Sequence, residues 1–411
     1  MLNEEMLHLG KKRSAIRELF EKGKILKEKY GNNNVFDFSI GNPSIPCPKE
    51  VNDLLICLIN DANNNDLIKL DDYKFDSTIL HGYTSASGDK NSKNAISNYL
   101  NQKYSAKTSP DYIYLTTGSA AGLAIIFKAI TNSKENEVLV FAPHFPEYSV
   151  FINNSNAKLV KVNPQLDTFF PDLSDFKNKI NNNTNAVIIN SPCNPTGVLY
   201  DEETIKNICN ILEEKEKEYG HPIYIISDEP YRELIYTDDK YPFITNYYKN
   251  SIITYSFSKS LSVPGERIGY ILVNNECENV DDVYATICGA GRSLGHVCAP
   301  SLFQYLIPSI LGKTSDLSIY AKNAKLFYDE LTKIGFKLIK PNGAFYLFMK
   351  ALEDDDEKFS KKALEHNLLI VPSTSFGIKG YARIAYCVKE KQILDSIPKF
   401  KELYNEYKTK N

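Results

Sequence analysis

No stretch of the 411-residue sequence approaches the roughly 18 uninterrupted apolar positions that carry a helix across a bilayer. A helical membrane protein is therefore not expected. The opening, MLNEEMLHLGKKRSAI, has neither the apolar stretch nor the small-residue cleavage site of a signal peptide, so a cytoplasmic location is expected. Charge of one sign is also lacking: 48 Lys and Arg stand against 51 Asp and Glu, for a net charge of −3. The cations are scattered rather than gathered into a stripe, which argues against nucleic-acid binding as the main task. Cysteine is sparse, with eight residues and no CxxC pair, so neither a disulfide scaffold nor a structural zinc site is expected. Disorder is not indicated either, because 43% hydrophobic and 24% charged residues are the proportions of a folded globular chain.

The length suggests two or three units at roughly 150 residues each. Ile16, Leu19, Phe20 and Leu26 recur at helical spacing until Gly31 and the Asn32-Asn33-Asn34 run stop the helix. The other Asn clusters, at 63–65 and 181–183, read as loop tips. From about residue 110, short β-branched runs alternate with helical stretches: Tyr112–Leu115, Val138–Phe141, Ala186–Ile189, Ile223–Ile226 and Ile252–Tyr255. Such runs, apolar without alternation, predict buried strands of a mostly parallel α/β sheet. Beyond about residue 315 a smaller α+β unit is expected, with helices over 321–334 and 393–407. Its strands should form near 337–339, 345–348, 368–371 and 382–385. The expected division is a large unit of residues 48–314 and a small one of 1–47 with 315–411.

Ligands of α/β sheets bind beyond the C-terminal ends of the strands, so the loops there carry the chemistry. Thr116-Thr117-Gly118-Ser119-Ala120-Ala121-Gly122 has small residues that let backbone N–H groups approach an anion at the start of the next helix, although Gly-Ser is also a common helix cap. Asn190-Ser191-Pro192-Cys193-Asn194-Pro195-Thr196-Gly197 and Ser227-Asp228-Glu229-Pro230-Tyr231 follow the next strands. Ser256-Phe257-Ser258-Lys259-Ser260 then leads to Pro264-Gly265-Glu266-Arg267-Ile268-Gly269-Tyr270. A lysine directly after a buried strand either begins a surface helix or is an amine whose pKa falls with burial, and the latter is a nucleophile.

Four ordered elements, Asn-Pro-Thr-Gly at 194–197, Asp-x-x-Tyr at 228–231, Ser-x-Ser-Lys at 256–259 and Gly-x-Arg-x-Gly-Tyr at 265–270, resemble the class I and II aminotransferases. The resemblance covers nearly the whole chain. It implies the fold-type I architecture, with a mostly parallel seven-stranded sheet between helices and a smaller α+β domain, and it implies pyridoxal 5′-phosphate as cofactor. Lys259 would form the Schiff base and move protons, and Asp228 would pair with the pyridine nitrogen. Asn194 and Tyr231 would donate to the phenolic oxygen. Phe145 would stack on the ring, a position where relatives often carry Trp or Tyr and this Trp-free chain cannot supply an indole. Gly118, Ser119 and Ala120, the hydroxyls of Ser256 and Ser258, and Arg267 would hold the phosphate. Tyr83 matches the tyrosine that reaches the neighbouring subunit's phosphate, which implies a homodimer with shared sites. Past it, Ser92 stands where relatives usually carry an apolar helix anchor.

For substrates the resemblance places Arg383 on the α-carboxylate and Gly41 in the segment that closes over the bound molecule. Arg292, or else His296, is the candidate for a distal carboxylate. The chain is most similar to the aspartate aminotransferase-like branch, which implies transfer of an α-amino group from an aspartate-like or aromatic L-amino acid to a 2-oxo acid such as 2-oxoglutarate by a ping-pong mechanism. A C–S β-lyase would use the same Lys259 and Asp228. A cofactor-binding regulator is the further alternative, disfavoured by the lack of a DNA-binding module.

Overall fold

The computed structural model describes residues 2–11, 14–64, 67–70 and 73–409. Its centre is a seven-stranded sheet built from Ile113–Thr116, Glu137–Phe141, Lys158–Val162, Thr184–Ile189, Tyr224–Asp228, Ser251–Ser256 and Gly269–Val273. Across the sheet their order is first, seventh, sixth, fifth, fourth, second, third. Gly269–Val273 runs antiparallel to both of its neighbours, and the remaining pairs are parallel. Alternate residues fill two cores. Leu115, Leu139, Val187, Ile225 and Ile253 pack on one face, while Tyr114, Val138, Ile188, Ile226 and Ile252 pack on the other. A strand covered on both faces needs apolar residues at every position, which is why these runs show no alternation.

Two strands of the large sheet escaped the sequence reading, as did the hairpin Leu67–Leu70 with Tyr73–Asp76. Lys158–Val162 is an edge strand, paired only with Glu137–Phe141 and half-exposed, so its lysines break the apolar run. Gly269–Val273 begins at the last two residues of the Gly-x-Arg-x-Gly-Tyr segment, which the sequence reading took as a loop. Helix boundaries agree within a few residues: Ser119–Ile130, Leu317–Ile334 and Glu390–Lys408. Asn63 and Asn64 correct the loop-tip expectation, since both lie in the last turn of helix Lys49–Asn64, while Asn65 falls outside the described residues. Asn32–Asn34 forms a short 3-10 turn.

The smaller sheet is antiparallel, in the order Leu338–Ile339, Tyr346–Lys350, Tyr381–Ala385, Val371–Pro372. The expected strand over 368–371 is split, because Leu368–Leu369 pairs instead with Phe36–Asp37 and thereby ties the N-terminal segment to this unit. Phe38, Phe327 and Phe400 form its aromatic centre, with ring centroids 5.0 to 6.2 Å apart. Ser92, expected to weaken local packing, is instead a buried polar node. Its N–H is capped by Asp89 at 2.8 Å and its hydroxyl donates to the Gln304 carbonyl at 2.6 Å. No described helix is long and apolar enough to cross a membrane.

Candidate active site

The C-terminal ends of large-sheet strands and the two central strands of the small sheet face a cavity of about 290 Å³. Its lining includes Gly41, Ser119, Ala120, Phe145, Asn194, Asp228, Tyr231, Ser256, Ser258, Lys259, Arg267 and Arg383. Residues from positions 41 to 383 therefore converge as the sequence reading expects. Gly118 borders the same place: a Cβ there would lie 2.6 Å from Arg267 Nη2. Its φ of +86° suits glycine, and as the N-cap of Ser119–Ile130 it offers no side chain to the first N–H groups of that helix.

Asp228 ends its strand buried. Oδ2 accepts a hydrogen bond from Tyr148 at 2.7 Å, while Oδ1 is buried without a partner. Burial raises its carboxyl pKa to about 7, against the opposing hydrogen bond from Tyr148. Lys259 Nζ donates to the Gly41 carbonyl at 2.8 Å. Burial lowers its pKa to about 8, and Arg267 and Arg383 add repulsion. Arg383 is 1% exposed, lies 4.6 Å over the Tyr346 ring, and donates from Nη1 to Asn194 Oδ1 at 3.0 Å and from Nη2 to the Ser39 carbonyl. Its Nε is buried without a partner. Because a guanidinium only donates, this contact fixes the Asn194 amide with its NH₂ turned away from Arg383. Tyr231 and Tyr346 share a hydroxyl contact of 2.9 Å.

Arg267 bridges the Ser258 hydroxyl at 3.4 Å and the Thr117 carbonyl at 3.1 Å, and Ser256 Oγ donates to Ser258 Oγ at 2.8 Å. Three donor sets therefore surround one end of the cavity: a helix start, two hydroxyls and a guanidinium. That is the chemistry of a phosphate cradle. The orphaned Asp228 Oδ1 suits a protonated ring nitrogen, and the partly neutral Lys259 amine suits an aldehyde. Pyridoxal 5′-phosphate fits these residues. Among the described residues no cluster of three or more His, Cys, Asp and Glu could hold a metal ion.

A family model for class I and II aminotransferases matches residues 34–397. The chain belongs to this family. An amino transferase from Eubacterium rectale superposes with a TM-score of 0.94 at 49% identity, over 99% of both chains. The aspartate aminotransferase of Pyrococcus horikoshii is 27% identical, covering 94% of this chain and 93% of that one. The probable aspartate/prephenate aminotransferase of Aquifex aeolicus is 30% identical over 79% of this chain and 84% of its own. This aminotransferase is thus a pyridoxal phosphate enzyme acting on amino and 2-oxo acids.

Three candidates lie elsewhere in the single chain. Tyr83 is 98% exposed beside a separate surface depression with Asp89, Lys93 and Tyr305. Arg292 is exposed in the last turn of helix Val280–Ser293, and His296 follows it. Neither lines the cavity. The sequence reading missed Tyr148 and Tyr346. Tyr148 stands one helical turn beyond Phe145, a spacing that could have revealed it; Tyr346 lies inside an apolar strand and reads as core.

Proposed function

We propose that this aminotransferase moves the α-amino group of an L-amino acid, aspartate-like or aromatic, to a 2-oxo acid such as 2-oxoglutarate by a ping-pong mechanism. The observation that carries this reading is the meeting in one cavity of a partnerless Asp228 oxygen, a Lys259 amine near pKa 8 and the carboxylate-free Arg383. When bound, pyridoxal phosphate supplies an aldehyde for amine exchange and a ring that withdraws electrons from the substrate α-carbon.

The chain's residues do the rest. Gly118, Ser119 and Ala120 would offer N–H groups to the phosphate, with Ser256, Ser258 and Arg267 beside them. Asp228, held by Tyr148, would keep the ring nitrogen protonated. Asn194 and Tyr231 would donate to the phenolic oxygen, and Phe145 would pack against the ring. Arg383 clamps the substrate α-carboxylate through its bidentate fork. Lys259, its proton affinity lowered by burial, would take the proton from the substrate α-carbon and deliver it to the cofactor carbon that had been the aldehyde. Movement of the 1–47 and 315–411 unit against 48–314 brings Gly41 over the substrate and excludes water. Tyr83 completes the phosphate site of a second subunit in a homodimer, and Arg292 reads the distal carboxylate of dicarboxylic donors. The eight free thiols suit a reducing compartment, and we place the enzyme in the cytoplasm.

The test is the visible spectrum of the cofactor-loaded protein before and after L-aspartate, L-tyrosine, L-alanine or L-cysteine, with keto acid and ammonia assayed. Loss of the visible band with stoichiometric keto acid is expected. Ammonia release with a persistent band would replace this reading with a lyase.

A further inference from the structure

One residue along the chain from Asp228, Tyr231, Ser256 and Lys259 begins a second cluster of charges, which does not line the cavity. Glu229, Arg232 and Glu233 are buried together, with side chains 0%, 2% and 6% exposed. Arg232 Nη1 donates to Glu229 Oε2 at 3.0 Å, Nε to Glu233 Oε1 at 3.2 Å, and Nη2 to the Tyr270 hydroxyl at 3.1 Å. Its guanidinium stacks 4.2 Å over the Tyr255 ring and is boxed by Tyr104 and Phe243. The Tyr255 hydroxyl then donates to Glu233 Oε2 at 2.9 Å and meets Ser260 Oγ at 3.0 Å.

Burying three charges is expensive, and apolar replacements of equal volume are often as stable or more so. Stability alone is thus a poor reason for this cluster. Its members interleave with the reacting residues along the chain: Glu229 follows Asp228, Arg232 follows Tyr231, Tyr255 precedes Ser256 and Ser260 follows Lys259. In the strand Ser251–Ser256, neighbouring residues point to opposite faces, so Ser256 meets the cavity while Tyr255 meets the cluster. The two segments that carry Asp228 with Tyr231 and Ser256 with Lys259 are therefore each tied to the cluster within one residue of those groups.

Resting on the site reading above, we propose that Arg232 and Tyr255 are positioning residues. The chain Glu229–Arg232–Glu233–Tyr255–Ser260 sets the place of the Lys259 amine relative to the Asp228 carboxylate and keeps that amine inside the water-poor cavity. With the Tyr255 hydroxyl removed, Ser260 loses its tie to Glu233, the 256–260 turn relaxes, and Lys259 regains solvent. The groups facing that amine are the Gly41 carbonyl, Cys387, Arg267 and Arg383, none of which the substitution alters.

The test compares wild type with Tyr255→Phe, Arg232→Met and Arg232→Lys. In the cofactor-free protein, the pH dependence of Lys259 acylation by acetic anhydride, read by peptide mass mapping, gives the amine's midpoint. That midpoint should rise about tenfold in proton affinity in Tyr255→Phe and Arg232→Met, with partial recovery in Arg232→Lys. In the loaded enzyme, kcat should fall about tenfold in Tyr255→Phe while KM for the amino donor stays within twofold. A changed unfolding midpoint with unmoved acylation midpoint and kcat would reduce the cluster to a structural role and overturn the proposal, as would no change at all. If Arg232→Met or Tyr255→Phe fails to fold, Ser260→Ala, which removes the other end of the bridge, decides by the same readouts. Failure of the site reading itself is seen separately, as a wild-type visible band that survives Lys259→Ala.

Discussion

Replacing Asp228 by Asn should strengthen the cofactor-free protein while crippling the loaded enzyme. Burial lifts the Asp228 carboxyl from its ordinary 3.8 to about 7. Because the folded state holds this proton more tightly than the unfolded chain, the folded state is progressively penalised as pH rises from about 4 to 7, and the full penalty persists above that window. At roughly 1.4 kcal/mol per tenfold change in proton affinity, the penalty reaches about 4 kcal/mol. Asn keeps an acceptor for the Tyr148 hydroxyl and carries no charge, but leaves an amide N–H₂ facing the cavity at a cost of about 1–2 kcal/mol. The variant's cofactor-free form should therefore gain about 2–3 kcal/mol at pH 8 and lose about 1 kcal/mol at pH 4, where little charge penalty is left to relieve and the cost of the amide remains. Urea unfolding of both proteins at the two pH values measures this. With pyridoxal phosphate the order should reverse, because the ring nitrogen loses its carboxylate: affinity and turnover should both drop. A variant no more stable than wild type at pH 8, or a difference independent of pH, would refute the argument that a buried carboxylate with one partnerless oxygen waits here for a cation.

Lys259→Ala should bind cofactor only noncovalently, so borohydride should no longer attach it to the protein, and turnover should fall by several orders of magnitude. Arg383→Ala should raise KM for every amino donor tested, whereas Arg292→Ala should impair dicarboxylic donors alone; equal loss across donors would remove Arg292 from distal recognition. At Gly41 an added Cβ would overlap the Tyr346 hydroxyl. Gly41→Ala should accordingly displace the segment that receives the Lys259 hydrogen bond, lowering kcat/KM about tenfold or more, and wild-type kinetics would show that the close approach is not needed.

Much of this site was legible because its chemistry sits in loops that follow apolar strands, and strand ends are marked by the abrupt change from β-branched to small and polar residues. Asp228, Asn194, Ser256, Ser258 and Lys259 all lie at such transitions and all line one cavity. Arg383 was harder to place by residue pattern, since it belongs to a second sheet and meets Asn194 across 189 positions of sequence. Tyr346 was missed for the opposite reason: its neighbours Phe345, Leu347 and Phe348 are fully buried, and a hydroxyl on the cavity side of such a strand leaves no mark in composition. The edge strand Lys158–Val162 was overlooked because exposed lysines resemble loop text. Tyr83 and Arg292 mark a different boundary: their proposed roles lie on a second subunit, and a single chain does not display such roles.

The parity of the strand Ser251–Ser256 limits how this enzyme family could diversify. Inserting or deleting one residue in that strand would exchange Ser256 with Tyr255, putting a phenol where the cavity is lined by a small hydroxyl and a small alcohol against Arg232. Both faces would fail at once, and no single side-chain change would repair both. A change of length is better absorbed in the loops that flank this strand, where no alternation has to be kept. A new substrate can accordingly be met by reshaping those loops while the strand keeps its length.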